Sequence, residues 1–177
     1  MSTPSTPSTD LTSHPPRPSP RDGQRVLALA QHLGAPRAAR TFLSACLQDL
    51  GVPGKLRADI QTVVTELVTN AVTHGATASE QLLVPADPAS PTGPLPQIVV
   101  RFGPVHHTLL LVEVEDACPA PPRPSAPHAL DESGRGLLMV QALTSQWGWY
   151  KAPTGARKKA DTAQGKVVWA TFDIAVT

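Results

Sequence analysis

Proline is concentrated in three short tracts of this chain. Six, five and five of the 20 prolines lie within residues 1–20, 85–96 and 119–127. Proline fixes φ and removes a backbone hydrogen-bond donor, so helix interiors and central strands exclude it. The three tracts must therefore be irregular. The 177 residues are enough for one domain with a sizeable core built from the segments between them.

The first tract belongs to an N-terminal segment, Met1–Asp22, that is rich in Ser, Thr and Pro. It has almost no large apolar side chains, so it cannot bury enough surface to offset the entropy lost on ordering. We expect a disordered tail over residues 1–22 and a single domain over residues 23–177. The tail has no apolar stretch typical of a signal peptide, which predicts a cytoplasmic protein.

Charge and cysteine content exclude several classes of function. The net charge is +1 and the isoelectric point about 7.9, so no basic field points to nucleic acid or an anionic membrane. No apolar run approaches the roughly 20 residues of a membrane-spanning helix. Cys46 and Cys118 are the two cysteines, and neither they nor the six histidines show the spacing of a disulfide framework or a zinc site.

Three segments outside the tracts have helical patterns. Apolar side chains recur at helical spacing from Pro36 to Leu50 and, most regularly, in KLRADIQTVVTELVTNAVTHG, which Gly75 ends. A third, shorter helix is expected over Gly136–Ala142. The long middle helix has one wide apolar face.

The remaining segments are typical of strands. A short apolar run around Val26–Leu29 predicts a first strand, and QIVVRFG with HTLLLVEVED predicts a hairpin whose turn is Gly103–Pro104. QWGWYKA and KVVWATFDIAV predict a second hairpin. Helices and strands in this order predict an α+β sandwich.

Two motifs could carry chemistry. Glu66 and Asn70 are four residues apart on the long helix, so they share a face and could hold a hydrated Mg²⁺, or Glu66 could act as a general base. Both could equally lie on the solvated side of an amphipathic helix. Gly134 and Gly136 open the third helix, where free amides and the helix dipole favour phosphate, although such glycine pairs are also common in loops.

The order of these motifs resembles a known family. ELVTNAVTHG is similar to the N-box of the GHKL-type ATPases, the superfamily of histidine kinases, gyrase B and MutL, and ESGRGLLMV is similar to their second glycine box. The small size, AAR in the first helix, and WGW followed by VVWATF most resemble the anti-sigma-factor serine/threonine kinases of bacteria. The resemblance covers about residues 24–176. It implies a two-layer sandwich of the GHKL (Bergerat) type, with helices on one face of a mixed, mostly antiparallel sheet.

The resemblance implies a role for each matching position. Glu66 would be the catalytic base, Asn70 the ligand of Mg²⁺, and Asp116 the acceptor of a hydrogen bond from the adenine amino group. Residues 117–133 would form a lid over the nucleotide. Thr171 would support the adenine pocket through water, or serve only as a strand residue. The phosphates of ATP would meet the backbone amides of Gly134, Arg135, Gly136 and Leu137.

The resemblance also implies a function. The chain would be an ATP- and Mg²⁺-dependent serine/threonine protein kinase that phosphorylates an anti-sigma-factor antagonist of the STAS type. It would also sequester a sigma factor and would form a homodimer.

A second interpretation is a non-catalytic protein of this fold, which binds nucleotide weakly or not at all and acts through protein contacts. Family members carry a glycine two residues after the aspartate that reads adenine, and this chain has Cys118 there, followed by Pro119. Glycine permits a close approach of backbone and base, and prolines stiffen a lid. Both departures favour this interpretation.

Overall fold

The structure is a computed structural model that describes residues 23–74, 97–122, 136–153 and 165–174. The expected tail, residues 1–22, lies outside the described residues. So do Gly75, the second proline tract and most of the predicted lid. Within the described part of the chain, no helix has the length and apolar character needed to cross a membrane.

The described residues form eight helices and strands. They are β1 (Arg25–Ala30), α1 (Ala35–Asp49), α2 (Gly54–His74), β2 (Gln97–His106), β3 (Leu109–Asp116), α3 (Gly136–Leu143), β4 (Gln146–Lys151) and β5 (Lys166–Asp173).

The strands form one five-stranded sheet in the order β1-β2-β3-β5-β4. Each pairing among the described strands is antiparallel. Every second residue of the three middle strands joins the apolar faces of the helices in one core, so the helices cover a single face of the sheet. The predicted α+β sandwich is confirmed, as is the second predicted hairpin, formed by β4 and β5.

The three predicted helices are also confirmed. Pro36 lies in the first turn of α1, where its missing N–H costs nothing, and Gly51 follows the helix with a φ of 63°. The buried face of α2 is the predicted apolar stripe, composed of Ile60, Val63, Val64, Leu67, Val68, Ala71 and Val72. Glu66 and Asn70 lie beside this stripe and are half-buried.

The predicted turn at Gly103–Pro104 is wrong. Strand β2 continues through both residues, which pair with Leu111 and Leu110 of β3, and the chain turns at residues 107–108. Strand β1 pairs with β2 only as far as Phe102. Among the described strands, that side of β2 has no partner beyond Phe102, and proline is tolerated at such an edge.

A close contact between two backbone segments, and not a turn, explains the glycine at residue 103. A β-carbon there would lie 3.0 Å from the Cα atom of Gln24, in the segment that enters β1. The residue therefore marks a close approach of two backbones rather than a turn.

Candidate functional site

Glu66 of α2 lies next to the start of the third helix. Helix α3 packs against α2, and a β-carbon built on Gly136 would lie 2.5 Å from Oε2 of Glu66. Glycine at residue 136 is thus what allows the first turn of α3 to approach the Glu66 carboxylate. The structure brings together two motifs that are 70 residues apart in sequence.

The start of α3 supplies backbone rather than side chains to this site. Leu137 is buried and its side chain belongs to the core, so only its main chain is available to a ligand. The first N–H groups of a helix have no partner within it and favour anions. Gly134 and Arg135 lie outside the described residues.

Asp116 ends β3 on the face that the helices cover. It shares this face with Val112 and Val114, which belong to the core, and its side chain is 3% exposed. The acidic residues Glu113 and Glu115 alternate with it and face the other way. There Tyr150 donates a hydrogen bond to Glu113 at 2.8 Å, and Arg101 forms an ion pair with Glu115 at 2.5 Å.

Two donors bind the Asp116 carboxylate. The Lys166 ammonium lies 2.9 Å from Oδ1, and the backbone N–H of Cys118 donates to the same oxygen at 2.8 Å. Burial raises the pKa of Asp116 above its ordinary value of 3.8, and these two donors oppose the rise. A carboxylate so deep in the protein is maintained as an anion by its hydrogen bonds and its counter-ion.

Cys118 fits where the family pattern has glycine. Within the described residues no side-chain-bearing residue has a positive φ, so the backbone here does not demand glycine. The amide of residue 118 closes a short turn onto Asp116, and the Cys118 side chain is buried. The main-chain support of Asp116 is therefore independent of the residue type at 118.

Lys166 was not identified as a site residue from the sequence. Strand alternation could have suggested its role. Lys166 lies two and four residues before Val168 and Ala170, which point into the core, so its side chain is on the same face of β5. A lysine at an inward position requires an acidic partner. The sequence does not give the register that makes this partner Asp116.

The structure does not bring Thr171 to these residues. It pairs with Leu111 of β3, five residue pairs from Asp116 and Lys166, and it lies on the face away from the helices. Its hydroxyl donates a hydrogen bond to the backbone oxygen of Gln146 at 3.3 Å. In this position Thr171 links β5 to β4.

Comparison with known families identifies the arrangement. The sequence model described as the histidine kinase-like ATPase domain matches residues 29–171. The chain belongs to the histidine kinase-like ATPase domain family. As a member of this family it is, at the level of the family, an ATP-binding domain.

Solved structures with a similar fold include the crystal structure of the RsbU and RsbW domains of Rv1364c from Mycobacterium tuberculosis, with 22% sequence identity and a TM-score of 0.53. The match covers 84% of this chain and 32% of the other, so this chain spans about a third of that protein. A search among curated proteins found no significant match.

The residues of this histidine kinase-like ATPase domain fit ATP. Glycine at residue 136 leaves room for the Glu66 carboxylate beside the first turn of α3, and the buried Asp116 offers a hydrogen-bond acceptor to a base. Among the described residues, no group of three or more His, Cys, Asp or Glu side chains could hold a metal ion. The Asn70 amide oxygen suits Mg²⁺, which takes few protein ligands and relies on phosphate oxygens.

Proposed function

We propose that the chain is an ATP- and Mg²⁺-dependent serine/threonine protein kinase of the anti-sigma-factor type. The proposal goes beyond family membership in naming the reaction, the metal and the protein substrate. The observation that carries it is the contact between Glu66 and Gly136, which puts a carboxylate next to the backbone that would hold phosphate.

The chemistry assigned to Glu66 is that of a general base. ATP supplies the phosphoryl group when it is bound. Glu66 takes the proton from a serine or threonine hydroxyl of the substrate protein, whose oxygen forms a bond to the γ-phosphorus as the bond to the β,γ-bridging oxygen breaks. The products are a phosphorylated side chain and ADP. Catalysis of this kind depends on positioning and on stabilising charge.

The other residues bind and orient. The amide oxygen of Asn70 would hold Mg²⁺, which would neutralise phosphate charge. The amides of Gly134, Arg135, Gly136 and Leu137 donate to phosphate oxygens, and Asp116 accepts a hydrogen bond from the adenine amino group. Thr171 is left out of this scheme because of its place on the opposite face of the sheet.

The proposed partners are an anti-sigma-factor antagonist of the STAS type, a sigma factor and a second copy of this chain. The motifs AAR, WGW and VVWATF support this choice through their resemblance to anti-sigma-factor kinases. The presence of an RsbW domain in the solved relative is consistent with it. We propose that the chain binds the sigma factor and releases it when unphosphorylated antagonist arrives.

A phosphate-transfer assay tests the proposal. The full chain is incubated with radiolabelled ATP, Mg²⁺ and candidate STAS-type proteins. Glu66→Gln should lower the transfer rate by about 10²–10⁴-fold while ATP affinity stays within about threefold. Asp59→Asn makes the same carboxylate-to-amide change two turns away on α2 and should leave the rate unchanged.

Two results would contradict it. Undiminished transfer by Glu66→Gln would remove Glu66 as the base. Tight ATP binding without transfer to any antagonist, together with an interaction with a partner protein, would favour the non-catalytic interpretation.

A further inference from the structure

Asp116 and Lys166 are direct cross-strand neighbours. They form the last residue pair of the β3–β5 ladder, and both point to the side of the sheet that the helices cover. Their side chains are 3% and 7% exposed, and the ammonium lies 2.9 Å from Oδ1. Residues directly opposite in a sheet are held at fixed separation, so this ion pair is built into the strand register.

The backbone around the pair is equally constrained. A β-carbon on Gly165 would overlap the backbone oxygen of Asp116. The carbonyl of Gly165 accepts a hydrogen bond from the amide of Ala152 at 2.8 Å. Glycine at this position therefore lets the start of β5 come close enough for Lys166 to reach the carboxylate.

The geometry at the carboxylate is asymmetric. Both described donors, Lys166 Nζ and Cys118 N–H, bind Oδ1. Since both of these donors bind Oδ1, the described residues leave Oδ2 as the oxygen that can accept from a ligand. Lys166 Nζ also lies 3.5 Å from the backbone oxygen of Cys118, so the ammonium bridges the strand end and the segment that follows it.

We propose that Lys166 is a positioning residue for base recognition: it binds Oδ1 of Asp116, keeps the carboxylate ionised, and leaves Oδ2 to accept a hydrogen bond from the exocyclic amino group of adenine. This inference rests on the proposed nucleotide binding. It assigns Lys166 to the recognition of a nucleoside triphosphate that carries an amino group at purine position 6.

The chemistry of the carboxyl group explains why its ionisation matters for selectivity. An ionised carboxylate only accepts hydrogen bonds, whereas a protonated carboxyl also donates one. A buried carboxylate without a counter-ion favours the protonated form. With Lys166 in place, Asp116 favours the amino group of adenine and opposes the carbonyl oxygen that guanine carries at the same position.

Nucleotide selectivity tests the inference. Affinities for ATP, GTP and inorganic tripolyphosphate are measured by calorimetry on the full chain, with folding checked by circular dichroism. Lys166→Met should weaken ATP binding by about tenfold or more and bring the ATP-to-GTP affinity ratio close to one. Affinity for tripolyphosphate should stay within about twofold, because the phosphate-binding backbone is unchanged.

Two further variants separate positioning from general structural support. Lys166→Arg keeps the positive charge and should restore a preference for ATP over GTP. Lys151→Met removes an exposed lysine directly opposite Lys166 on β4 and should bind all three ligands like the wild type. Equal losses for ATP and tripolyphosphate in Lys166→Met would overturn the inference. Unchanged or tighter ATP binding by Lys166→Met would also overturn the inference. Tighter binding would mean that Lys166 competes with the adenine base for the Asp116 carboxylate.

A measurement on the wild type does not depend on any variant folding. The side-chain nitrogen resonance of Lys166 should shift on addition of ATP and stay unchanged with tripolyphosphate. An unchanged Lys166 side-chain resonance at saturating ATP would overturn the inference. If the wild type binds no ATP at all, the proposed function itself fails. If it binds ATP and Lys166→Met keeps the wild-type selectivity, only the role of Lys166 fails.

Discussion

Gly136 and Glu66 approach each other so closely that no other residue type fits at 136 without moving the carboxylate. A β-carbon there would lie 2.5 Å from Oε2 and 3.5 Å from the carboxyl carbon of Glu66. Glycine at the start of α3 therefore allows the Glu66 carboxylate to lie against this helix.

Gly136→Ala should lower phosphate transfer more than it lowers stability. The group in the way is the end of a flexible side chain, so Glu66 can rotate aside, but its carboxylate then leaves the position of a base. We expect at least about a tenfold loss of rate and a change in unfolding free energy below about 1 kcal/mol. The measurements are initial rates and urea unfolding.

Gly54→Ala is the matched control for that variant. It lies at the start of α2, where the nearest atom to an added β-carbon is 3.9 Å away. It should leave both rate and stability near the wild-type values. Equal rates for Gly136→Ala and Gly54→Ala would show that the contact with Glu66 has no part in catalysis.

Gly165→Ala should destabilise the fold. Here the added β-carbon would meet the backbone oxygen of Asp116, and a backbone cannot swing aside as a side chain can. The ends of β3 and β5 would have to separate, which we expect to cost about 1–3 kcal/mol in chemical unfolding. A variant as stable as the wild type would show that these strand ends move freely.

The Asp116–Lys166 pair should show strong coupling in a double-mutant cycle. Lys166→Met leaves a buried carboxylate without its counter-ion, and we expect a loss of about 3 kcal/mol in unfolding free energy. Adding Asp116→Asn removes the unpaired carboxylate charge and should recover most of the lost unfolding free energy. The exposed Lys151→Met should change stability by less than about 0.5 kcal/mol. Strictly additive effects would mean that the two groups do not interact.

The stability of the wild type should depend on pH through Asp116. Burial raises its pKa in the folded chain above 3.8, so the folded state binds the proton more tightly than the unfolded state. The resulting contribution to stability is complete below pH 3.8 and is lost as the pH rises through the folded pKa.

The reference for this measurement is the double variant Asp116→Asn/Lys166→Met, which lacks both groups. Thermal unfolding is followed from about pH 4 to about pH 7. The wild type should lose stability relative to the double variant as the pH rises. Parallel curves, or a relative gain by the wild type, would contradict the effect of burial on Asp116.

Local patterns predicted the helices and part of the site. The stripe of α2 and the spacing of Glu66 and Asn70 follow from helical periodicity alone. The turn predicted at Gly103–Pro104 was wrong. A glycine–proline pair is typical of turns, but here the two residues lie within β2. Among the described strands, β1 pairs with β2 only as far as Phe102, and proline is tolerated at the edge beyond it. Which strand ends next to which is a tertiary property.

The part of the site that depends on register could not be predicted. Lys166 and Thr171 lie on one strand, but side chains alternate between its faces and only the pairing with β3 shows which of them meets Asp116. The family resemblance suggested Thr171 as a residue that supports the adenine pocket, whereas the strand register places Lys166 directly opposite Asp116. The buried lysine at an inward position was the physical clue within the sequence.

Calorimetry of ATP binding to the full chain, with and without Mg²⁺, tests whether this domain binds ATP as proposed. We expect saturable binding with a dissociation constant of about 1 mM or tighter, weakened by removal of Mg²⁺ and by Asn70→Ala, with thermal stabilisation that grows with ATP concentration. The absence of both heat and thermal stabilisation at millimolar ATP and Mg²⁺ would contradict this proposal.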